Sequence, residues 1–422
     1  MMYFNLTDYR HRVYSDTMLD SIGPIAMITH QLDPTLSSQI NYHLVKRRKE
    51  YVEAEPDLVN SAGFARDDYR INVNMDRYDS GEGKVTVEQS VRGHDVFLFT
   101  DVLNYGRKYQ RYGSSVTMSP DEHYQDLVRL VLTTRPTAAR VNVIMPYLYE
   151  GRRYKRNGRE SLDCAQMLQE LFGLGVDNFI TFDAHDGRIA NAVPRNNFET
   201  FPTSAQILAT LFDAFPDINL HPDHFIIVSP DEDSISRCIF YASTLQVPLG
   251  IFYSDRNFRS VNGQIIEEST RKYLGDDVTG MDVLLVDDLM DTGLTFLECA
   301  SYLKAHGAKR VFCAASFVQF TKGIDHMRQA YTSGIINGVF ATDMAYRAPQ
   351  IIASPWYYDV PMAEDLASLV DALNHDASLS ALLAPADRID KLARKHQERY
   401  RQLYAQKQQL SHDPRQLSFD IY

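Results

Sequence analysis

The chemically most informative stretch runs from residue 283 to residue 295, where two adjacent carboxylates precede a short loop rich in hydroxyl groups. Four consecutive apolar residues, 283–286, predict a strand that is covered on both faces. Apolar residues then recur at helical spacing from Phe296 to Leu303 and predict a helix. The carboxylates and the loop therefore lie between the end of a buried strand and the start of a helix.

This arrangement can hold a phosphorylated sugar. Backbone N–H groups at the start of the helix favour an anion, and Gly293 lets the backbone approach it closely. Asp287 and Asp288 can accept hydrogen bonds from two ring hydroxyls of a ribose, directly or through Mg²⁺. An ordinary acidic turn is the competing interpretation, but adjacent carboxylates at a buried edge are costly without a ligand or a cation. The predicted ribose 5-phosphate site consists of Asp287, Asp288, Asp291, Thr292, Gly293, Leu294 and Thr295.

A second loop carries a high density of positive charge. Five basic residues lie between residues 152 and 159, after a predicted strand and a Pro-Tyr pair. A triphosphate presents several negative charges that arginine side chains bind bidentately, so this loop is a candidate triphosphate site. A solvated basic loop is the alternative.

The elements that position these groups alternate along the chain. Helical patterns such as 163–172 lie between several of the predicted strands. This alternation predicts an α/β fold with largely parallel sheets flanked by helices. The predicted strands span residues 94–100, 140–144, 178–182, 225–228, 247–253, 283–286 and 310–315.

Composition limits the class of protein. The chain has 422 residues and 44% hydrophobic content, which is enough to bury two cores. Its formal net charge of -12 argues against a general nucleic-acid-binding protein. No apolar run is long enough to span a membrane and the first residues lack a signal core, so we expect no membrane partner and a cytoplasmic location. Four widely separated cysteines predict free buried thiols.

Several sequence blocks resemble a known family. The 287–295 loop resembles the phosphoribosyl-pyrophosphate loop of type I phosphoribosyltransferases. The further blocks occur in the order and approximate spacing of ribose-phosphate pyrophosphokinases, a resemblance that extends over most of the chain. These blocks lie at residues 76–82, 90–96, 143–147, 181–185 and 228–231.

The resemblance implies an activity and a fold. In ribose-phosphate pyrophosphokinases, ATP and ribose 5-phosphate react with Mg²⁺ to give phosphoribosyl pyrophosphate and AMP. The family is built from two phosphoribosyltransferase-like domains with the active site between them, and its adenine site spans a subunit interface, so a homo-oligomer is expected. Two alternatives remain: a non-catalytic regulatory paralogue, and a phosphoribosyltransferase, which gives no reason for the basic loop.

The resemblance also implies catalytic and metal-binding residues. Asp287, Asp288 and Arg256 match the catalytic positions of the family. His185 and Asp231 match its two Mg²⁺ ligands near the ATP phosphates, although a lone histidine is more often structural.

The ATP-binding residues follow from the same comparison. Tyr78 takes the position of an aromatic ring that stacks on adenine, with Glu82 near the amino group, and core packing of Tyr78 is the competing interpretation. Arg152 matches the first arginine of the ATP loop of the family. Arg153 replaces a glutamine of that motif, and Lys155 or Arg156 stands for its second arginine.

One departure from the family affects the chemistry. The family places a catalytic lysine on a mobile loop where this chain has Ser254, although Arg256 remains. Loss of one preorganised cation can cost ~3–4 kcal/mol of transition-state stabilisation. Arg259, Lys272 and Lys155 are candidate replacements.

The predicted organisation has five parts. Residues 1–24 form an amino-terminal extension, 25–202 the ATP-side domain, 203–362 the sugar-side domain, 363–383 a helix that packs back on the first domain, and 384–422 a polar helical tail. The tail is interpreted as a solvated surface helix rather than a subunit contact. The basic run 46–49 is interpreted as a solvated helix end.

Overall fold

A computed structural model of the protein describes residues 21–156, 158–261 and 264–411, without the side chains of 256–261, 264–270 and 406–411. Two sheets of mostly parallel strands, each flanked by helices, organise these residues. The predicted α/β fold is therefore confirmed. Strands and helices are numbered below in chain order.

The first sheet has five parallel strands in the order β1-β4-β7-β8-β9. Its central strands are almost entirely buried and mainly apolar, as expected for a sheet covered on both faces. Its strands are β1 (Ile25–Ile28), β4 (Asp95–Phe99), β7 (Arg140–Ile144), β8 (Asn178–Phe182) and β9 (Asn197–Phe201).

Three helices accompany this sheet: α1 (Pro34–Ala54), α2 (Pro120–Thr134) and α3 (Asp163–Gly173). The sequence determines where α2 begins. The Ser119 hydroxyl accepts a hydrogen bond from the Glu122 N–H, the Glu122 carboxylate accepts one from the Ser119 N–H, and Pro120 occupies the first turn.

Two hairpins project from the first unit. The first joins β2 (Val73–Arg77) to β3 (Gly83–Val87), and the second joins β5 (Lys108–Arg111) to β6 (Ser114–Thr117). Their tips are linked, because the Tyr112 N–H donates to the Asp79 carbonyl at 3.0 Å.

The second sheet has the order β12-β11-β10-β13-β14-β15-β16, and only the β11–β12 pair is antiparallel. Its strands are β10 (Phe225–Ser229), β11 (Leu249–Val261), β12 (Gln264–Leu274), β13 (Asp282–Met290), β14 (Arg310–Val318), β15 (Gly338–Thr342) and β16 (Tyr357–Val360). The helices between them are α4 (Ser204–Ala214), α5 (Ile235–Leu245), α6 (Leu294–Ala305), α7 (Asp325–Thr332) and α8 (Pro349–Ile352).

The helix α9 (Ala363–Asn374) packs against α1 of the first unit. Arg48 of α1 is 1% exposed, and its Nε lies 3.0 Å from Oδ1 of the buried Asp371. Arg47 is also buried and donates to the Ser368 hydroxyl. The interpretation of run 46–49 as a solvated helix end is therefore wrong for these two arginines, because an acidic partner that is distant in sequence stabilises them inside the protein.

The chain continues through α10 (Ser380–Leu383) to the long helix α11 (Ala386–Ser411), which packs against α4 and α5. Ile389 is fully buried, and the buried His396 stacks on Phe212 and hydrogen-bonds the Ile218 carbonyl at 2.8 Å. The interpretation of a solvated helix is therefore wrong for this face of α11, which covers the second unit.

The four cysteines, Cys164, Cys238, Cys299 and Cys313, are buried and unbridged, which confirms the prediction of free thiols. Burial raises the pKa of the Cys164 thiol to about 12, so it is inert at neutral pH. Within the described ranges, no helix is long and apolar enough to cross a membrane.

Candidate active site

The order in which the chain adds strands to the second sheet reverses between β10 and β13. After β10 the chain adds β11 on one side, and later it adds β13 on the other side. Ligands of open α/β sheets bind outside the carboxyl ends of the strands at such a point. Asp231 follows β10, and Asp287 lies near the end of β13, so both are at this position.

Asp288 is buried, and the side chain of the adjacent Asp287 is only 12% exposed. Oδ1 of Asp287 accepts hydrogen bonds from the Ser234 hydroxyl at 2.6 Å and from the Asp288 N–H at 2.8 Å. Burial, with the charge of Asp288 beside it, raises the pKa of Asp287 well above its usual range. Burial acts in the same direction on Asp288, but Arg237 and His185 outweigh it and hold the pKa of Asp288 below its usual range. Asp288 is thus strongly favoured as the anionic member of the pair.

His185 of the first unit meets this pair across the cleft. It follows β8, and its Nδ1 lies 3.1 Å from Oδ2 of Asp288. The hydrogen bond to Asp288 raises the pKa of His185 against the opposing effect of burial. With Nδ1 directed to Asp288, Nε2 faces Asp233, whose Oδ2 is 4.0 Å away.

Arg237, in the first turn of α5, is a site residue that was not predicted from the sequence. Its side chain is 14% exposed, and its Nη1 lies 3.6 Å from an oxygen of Asp287 and 3.6 Å from an oxygen of Asp288. Its Nε lies 3.8 Å from Asp183 of the first unit. Its position in the sequence offered one signal: Arg237 comes immediately before Cys238, on the apolar side of the helix that also carries Tyr241. An arginine placed beside buried residues requires an acidic partner.

Asp183 is held in an uncommon backbone conformation, with φ of 42°. Its Oδ2 accepts hydrogen bonds from the Thr203 hydroxyl at 2.6 Å, the Thr203 N–H at 3.0 Å and the Ser316 hydroxyl at 2.6 Å. Ser316 belongs to β14 of the second unit. Asp183 therefore joins the end of the first sheet to the second unit, two residues before His185.

The loop after β13 leads into α6 through Gly293, which has φ of 80°. A Cβ atom at this position would lie 2.8 Å from the Met327 sulfur, so both conformation and space require glycine. The Thr292 carbonyl accepts a hydrogen bond from His326 at 2.6 Å, and Leu294 is exposed. α6 begins at Leu294, so the first N–H groups of the helix, which have no partner within it, include those of the predicted phosphate loop. The Leu294 N–H donates to the Thr292 hydroxyl at 3.3 Å.

A second contact across the cleft joins the two predicted binding loops. Nη1 of Arg152 donates to Oδ2 of Asp291 at 3.0 Å, and Oδ1 of Asp291 accepts from the Thr321 hydroxyl at 2.6 Å. Burial raises the pKa of the nearby Tyr147 to about 12, so it remains a phenol. The basic loop and the sugar-phosphate loop thus face each other.

The rest of the basic loop is more exposed. The Arg153 N–H donates to the Glu150 carbonyl at 2.8 Å and its side chain faces solvent. Nζ of Lys155 lies 5.2 Å from the centre of the Tyr154 ring, which itself lies 5.8 Å from the His185 ring. Arg153 and Lys155 are therefore near the cleft without a contact to the second unit among the described residues.

Tyr78 and Glu82 occupy the turn of the β2–β3 hairpin. Tyr78 is 58% exposed, so the interpretation that it packs in the core is wrong. The Tyr78 N–H donates to the Glu82 carbonyl, and the Glu82 carboxylate accepts from the Ser80 hydroxyl at 3.1 Å. The described contacts of these residues lie within the hairpins, and none joins them to the cleft of the same chain.

The position of the missing lysine lies on β11. The Ser254 N–H donates to the Glu232 carboxylate at 2.7 Å, and Ser254 pairs across the ladder with Arg271. Arg271 donates to the Pro230 carbonyl, beside Asp231. Lys272 pairs with Asp255. The side chains of Arg256 and Arg259 lie outside the described residues, so their predicted roles remain predictions.

The two predicted metal ligands belong to one connected network. Oδ1 of Asp231 accepts a hydrogen bond from the Ser234 N–H. The Ser234 hydroxyl lies 2.9 Å from this oxygen and 2.6 Å from Oδ1 of Asp287, so its single proton is shared between the two carboxylates. Asp287 in turn precedes Asp288, the partner of His185. In the described part of the chain, no cluster of three or more His, Cys, Asp or Glu side chains is arranged to hold a metal ion.

Comparison with protein-family models identifies two regions. Residues 26–175 match the N-terminal domain of ribose phosphate pyrophosphokinase, and residues 198–347 match the phosphoribosyl transferase domain. The ribose-phosphate pyrophosphokinase of Shewanella oneidensis is 26% identical over 314 residues, which are 73% of this chain and 89% of that protein. The corresponding protein of Pasteurella multocida is 26% identical over 315 residues, 74% of this chain and 90% of its own length.

Among solved structures, the phosphoribosylpyrophosphate synthetase of Mycobacterium smegmatis is similar in fold. The TM-score is 0.64 at 18% sequence identity, and the match covers 84% of this chain and 99% of that chain. The overall fold of this chain is therefore one already known from a solved structure.

Proposed function

The chain belongs to the ribose-phosphate pyrophosphokinase family, and from this membership we propose that it transfers pyrophosphate from ATP to ribose 5-phosphate, giving phosphoribosyl pyrophosphate and AMP. The observation that carries the proposal is the pair of contacts across the cleft. His185 lies 3.1 Å from Asp288, and Arg152 lies 3.0 Å from Asp291. A transfer between two bound substrates requires their sites to face each other in this way.

On the sugar side, Asp287 and Asp288 accept hydrogen bonds from the ring hydroxyls, and the loop 291–295 binds the 5-phosphate. The strong preference of Asp288 for the anion supports this role, since a carboxylate accepts hydrogen bonds at both oxygens. The start of α6 supplies N–H groups for the phosphate.

On the nucleotide side, Arg152 is the cation of the basic loop that lies closest to the sugar loop, and Arg153 and Lys155 extend the charge outward. The anomeric hydroxyl attacks the β-phosphorus of ATP and releases its proton to solvent, the bond between that phosphorus and the α,β-bridging oxygen breaks, and AMP leaves with the bridging oxygen. Alignment and neutralisation of negative charge dominate the catalysis of such transfers. The Tyr78 ring, exposed on its hairpin, is available for adenine in a partner subunit of a homo-oligomer.

The chemistry of the donors fits Mg²⁺ bound together with nucleotide. His185 directs Nδ1 to Asp288 and leaves Nε2 for a cation, an orientation that a carboxylate partner typically fixes in metal sites. Asp231 adds a carboxylate on the same network. Magnesium binds through one or two carboxylates plus substrate phosphates, which accords with a site formed by few protein ligands. When bound, the ion neutralises phosphate charge during transfer.

Ser254 favours one alternative, a regulatory paralogue that binds nucleotides without turnover. The serine provides no cation for the transferring group, and Lys272 is paired with Asp255. Retained nucleotide binding without product formation would support this alternative.

The proposed activity is tested by incubating purified protein with ATP, ribose 5-phosphate and Mg²⁺ and measuring AMP. The expected result is AMP formation that requires all three reactants. ATP binding without AMP would instead indicate the regulatory paralogue. Consumption of phosphoribosyl pyrophosphate that depends on a nucleobase would indicate a phosphoribosyltransferase. Assembly into a homo-oligomer and a cytoplasmic location complete the proposal, and light scattering and cell fractionation test them.

A further inference from the structure

Arg237 is a buried cation between the two units of the protein. Its guanidinium lies within 3.8 Å of carboxylate oxygens from Asp183, Asp287 and Asp288. Its Nη2 also donates to the Asp183 carbonyl at 3.4 Å. Asp183 directly follows β8 of the first sheet, whereas the other two carboxylates belong to β13 of the second sheet.

We infer that Arg237 is a positioning residue for the ribose 5-phosphate site: it orients Asp287 and Asp288 toward the sugar and fixes them relative to the nucleotide half of the cleft. This inference rests on the proposed function. Arg237 acts through the two aspartates and is not itself expected to contact substrate.

The geometry around Asp287 supports this role. The Ser234 hydroxyl, the Asp288 N–H and Arg237 all approach the same oxygen, Oδ1. The opposite oxygen of this carboxylate is therefore the one that can meet a sugar hydroxyl. An arginine suits this position because its planar fork reaches several acceptors at once, which a lysine cannot do.

The geometry around Asp183 supports the connection between the units. Three hydrogen bonds from Thr203 and Ser316 fall on Oδ2, while Oδ1 faces Arg237. The orientation of Asp183 is thus fixed by contacts that do not involve Arg237. Since His185 lies two residues later, Arg237 is fixed to the segment that carries the nucleotide side of the cleft.

Arg310, the first residue of β14, provides a matched control because it pairs with a carboxylate at the opposite end of β13. Its side chain is 15% exposed and pairs with the buried Asp282 at 2.7 Å and with Asp217 at 3.0 Å. Both arginines are thus similarly buried and hold carboxylates of β13. Only Arg237 contacts the carboxylates at the sugar site.

The experiment measures binding of ribose 5-phosphate and of Mg²⁺-ATP by calorimetry, together with thermal unfolding, for the wild type and three variants. Arg237→Gln removes the cation. Arg237→Gln combined with Asp183→Asn removes one acidic and one basic group, so the net charge of the cluster equals that of the wild type. Arg310→Gln is the control. We expect Arg237→Gln to weaken sugar binding by about 10- to 100-fold, the scale of a misplaced binding group, with ATP affinity changed less than about twofold.

The double variant separates positioning from folding. The expected result is an unfolding temperature close to that of the wild type, with sugar binding still weak, and normal sugar binding by Arg310→Gln. Sugar binding restored together with stability in the double variant would overturn the inference, as would equal losses in Arg237→Gln and Arg310→Gln. A wild type that binds ribose 5-phosphate, with Arg237→Gln binding it equally well, would overturn the inference alone. A wild type that does not bind ribose 5-phosphate would overturn the proposed function as well.

Discussion

Replacement of Asp288 by asparagine separates the chemistry of the sugar site from the stability of the fold. Asp288 is 4% exposed, accepts a hydrogen bond from His185 at 3.1 Å and lies 3.6 Å from Arg237. The Asp288→Asn variant keeps the size of the side chain and removes its charge. We therefore expect the variant to fold and to bind ribose 5-phosphate poorly.

The expected magnitude follows from one charged hydrogen bond. A hydrogen bond to a charged group contributes about 1.5–3 kcal/mol, which corresponds to about a 10- to 160-fold loss in kcat/KM for ribose 5-phosphate. The free energy of unfolding should change by less than about 1.5 kcal/mol, because loss of the attractions to Arg237 and His185 is opposed by relief of the repulsion between Asp288 and Asp287.

The pKa of His185 provides an independent readout. The hydrogen bond to Asp288 is the main cause that raises this pKa, so it should fall in the variant, as measured by NMR titration of the imidazole. Asp282→Asn is the control, because Asp282 is buried at the other end of β13 and pairs with Arg310. Unchanged affinity and turnover for ribose 5-phosphate in Asp288→Asn, measured beside this control, would refute the assignment of Asp288 to the sugar.

Three further predictions concern other parts of the molecule. Ser254→Lys should raise turnover by about 10²–10³-fold if the serine leaves the transferring group without a cation, and unchanged turnover in the AMP assay would show that another cation serves. Arg48→Met should lower the free energy of unfolding, measured in urea, by about 3–5 kcal/mol, because it removes the nearest cation from the buried Asp371. The control Arg394→Met changes an exposed arginine and should cost less than about 0.5 kcal/mol. Burial raises the pKa of Asp101 to about 7, so between about pH 4 and about pH 7 the folded protein retains a proton that the unfolded chain has lost. The free energy of unfolding should therefore fall as pH rises from about 4 to about 7, and it should fall less in Asp101→Asn.

The buried parallel strands could be predicted from sequence because short runs made mainly of apolar residues recur between helical patterns. The predicted strands 140–144 and 178–182 agree with β7 and β8 residue by residue. The strand predicted at 247–253 was too short, because β11 continues to Val261 through polar residues. Pairing with β12 maintains that extension, and an apolar pattern cannot reveal it.

The position of the loop after β13 could also be predicted from sequence, but the partners of the charged side chains could not. Gly293 and the adjacent aspartates indicated a phosphate-sized loop after a strand. The burial of Arg237 and Arg48 depends on carboxylates that are distant along the chain. Arg237 meets Asp287, and Arg48 meets Asp371 from the far end of the sequence. The buried face of α11 was missed for the same reason, since His396 packs on Phe212.

The most direct test of the central claim follows the label of ATP carrying ³²P in its γ-phosphate, incubated with the wild-type protein, ribose 5-phosphate and Mg²⁺. Because the anomeric hydroxyl is proposed to attack the β-phosphorus, the label should appear in phosphoribosyl pyrophosphate, in an amount equal to that of the unlabelled AMP. Labelled sugar formed together with ADP would show attack on the γ-phosphorus and contradict the account. So would label that remains in ATP while calorimetry shows that both substrates are bound.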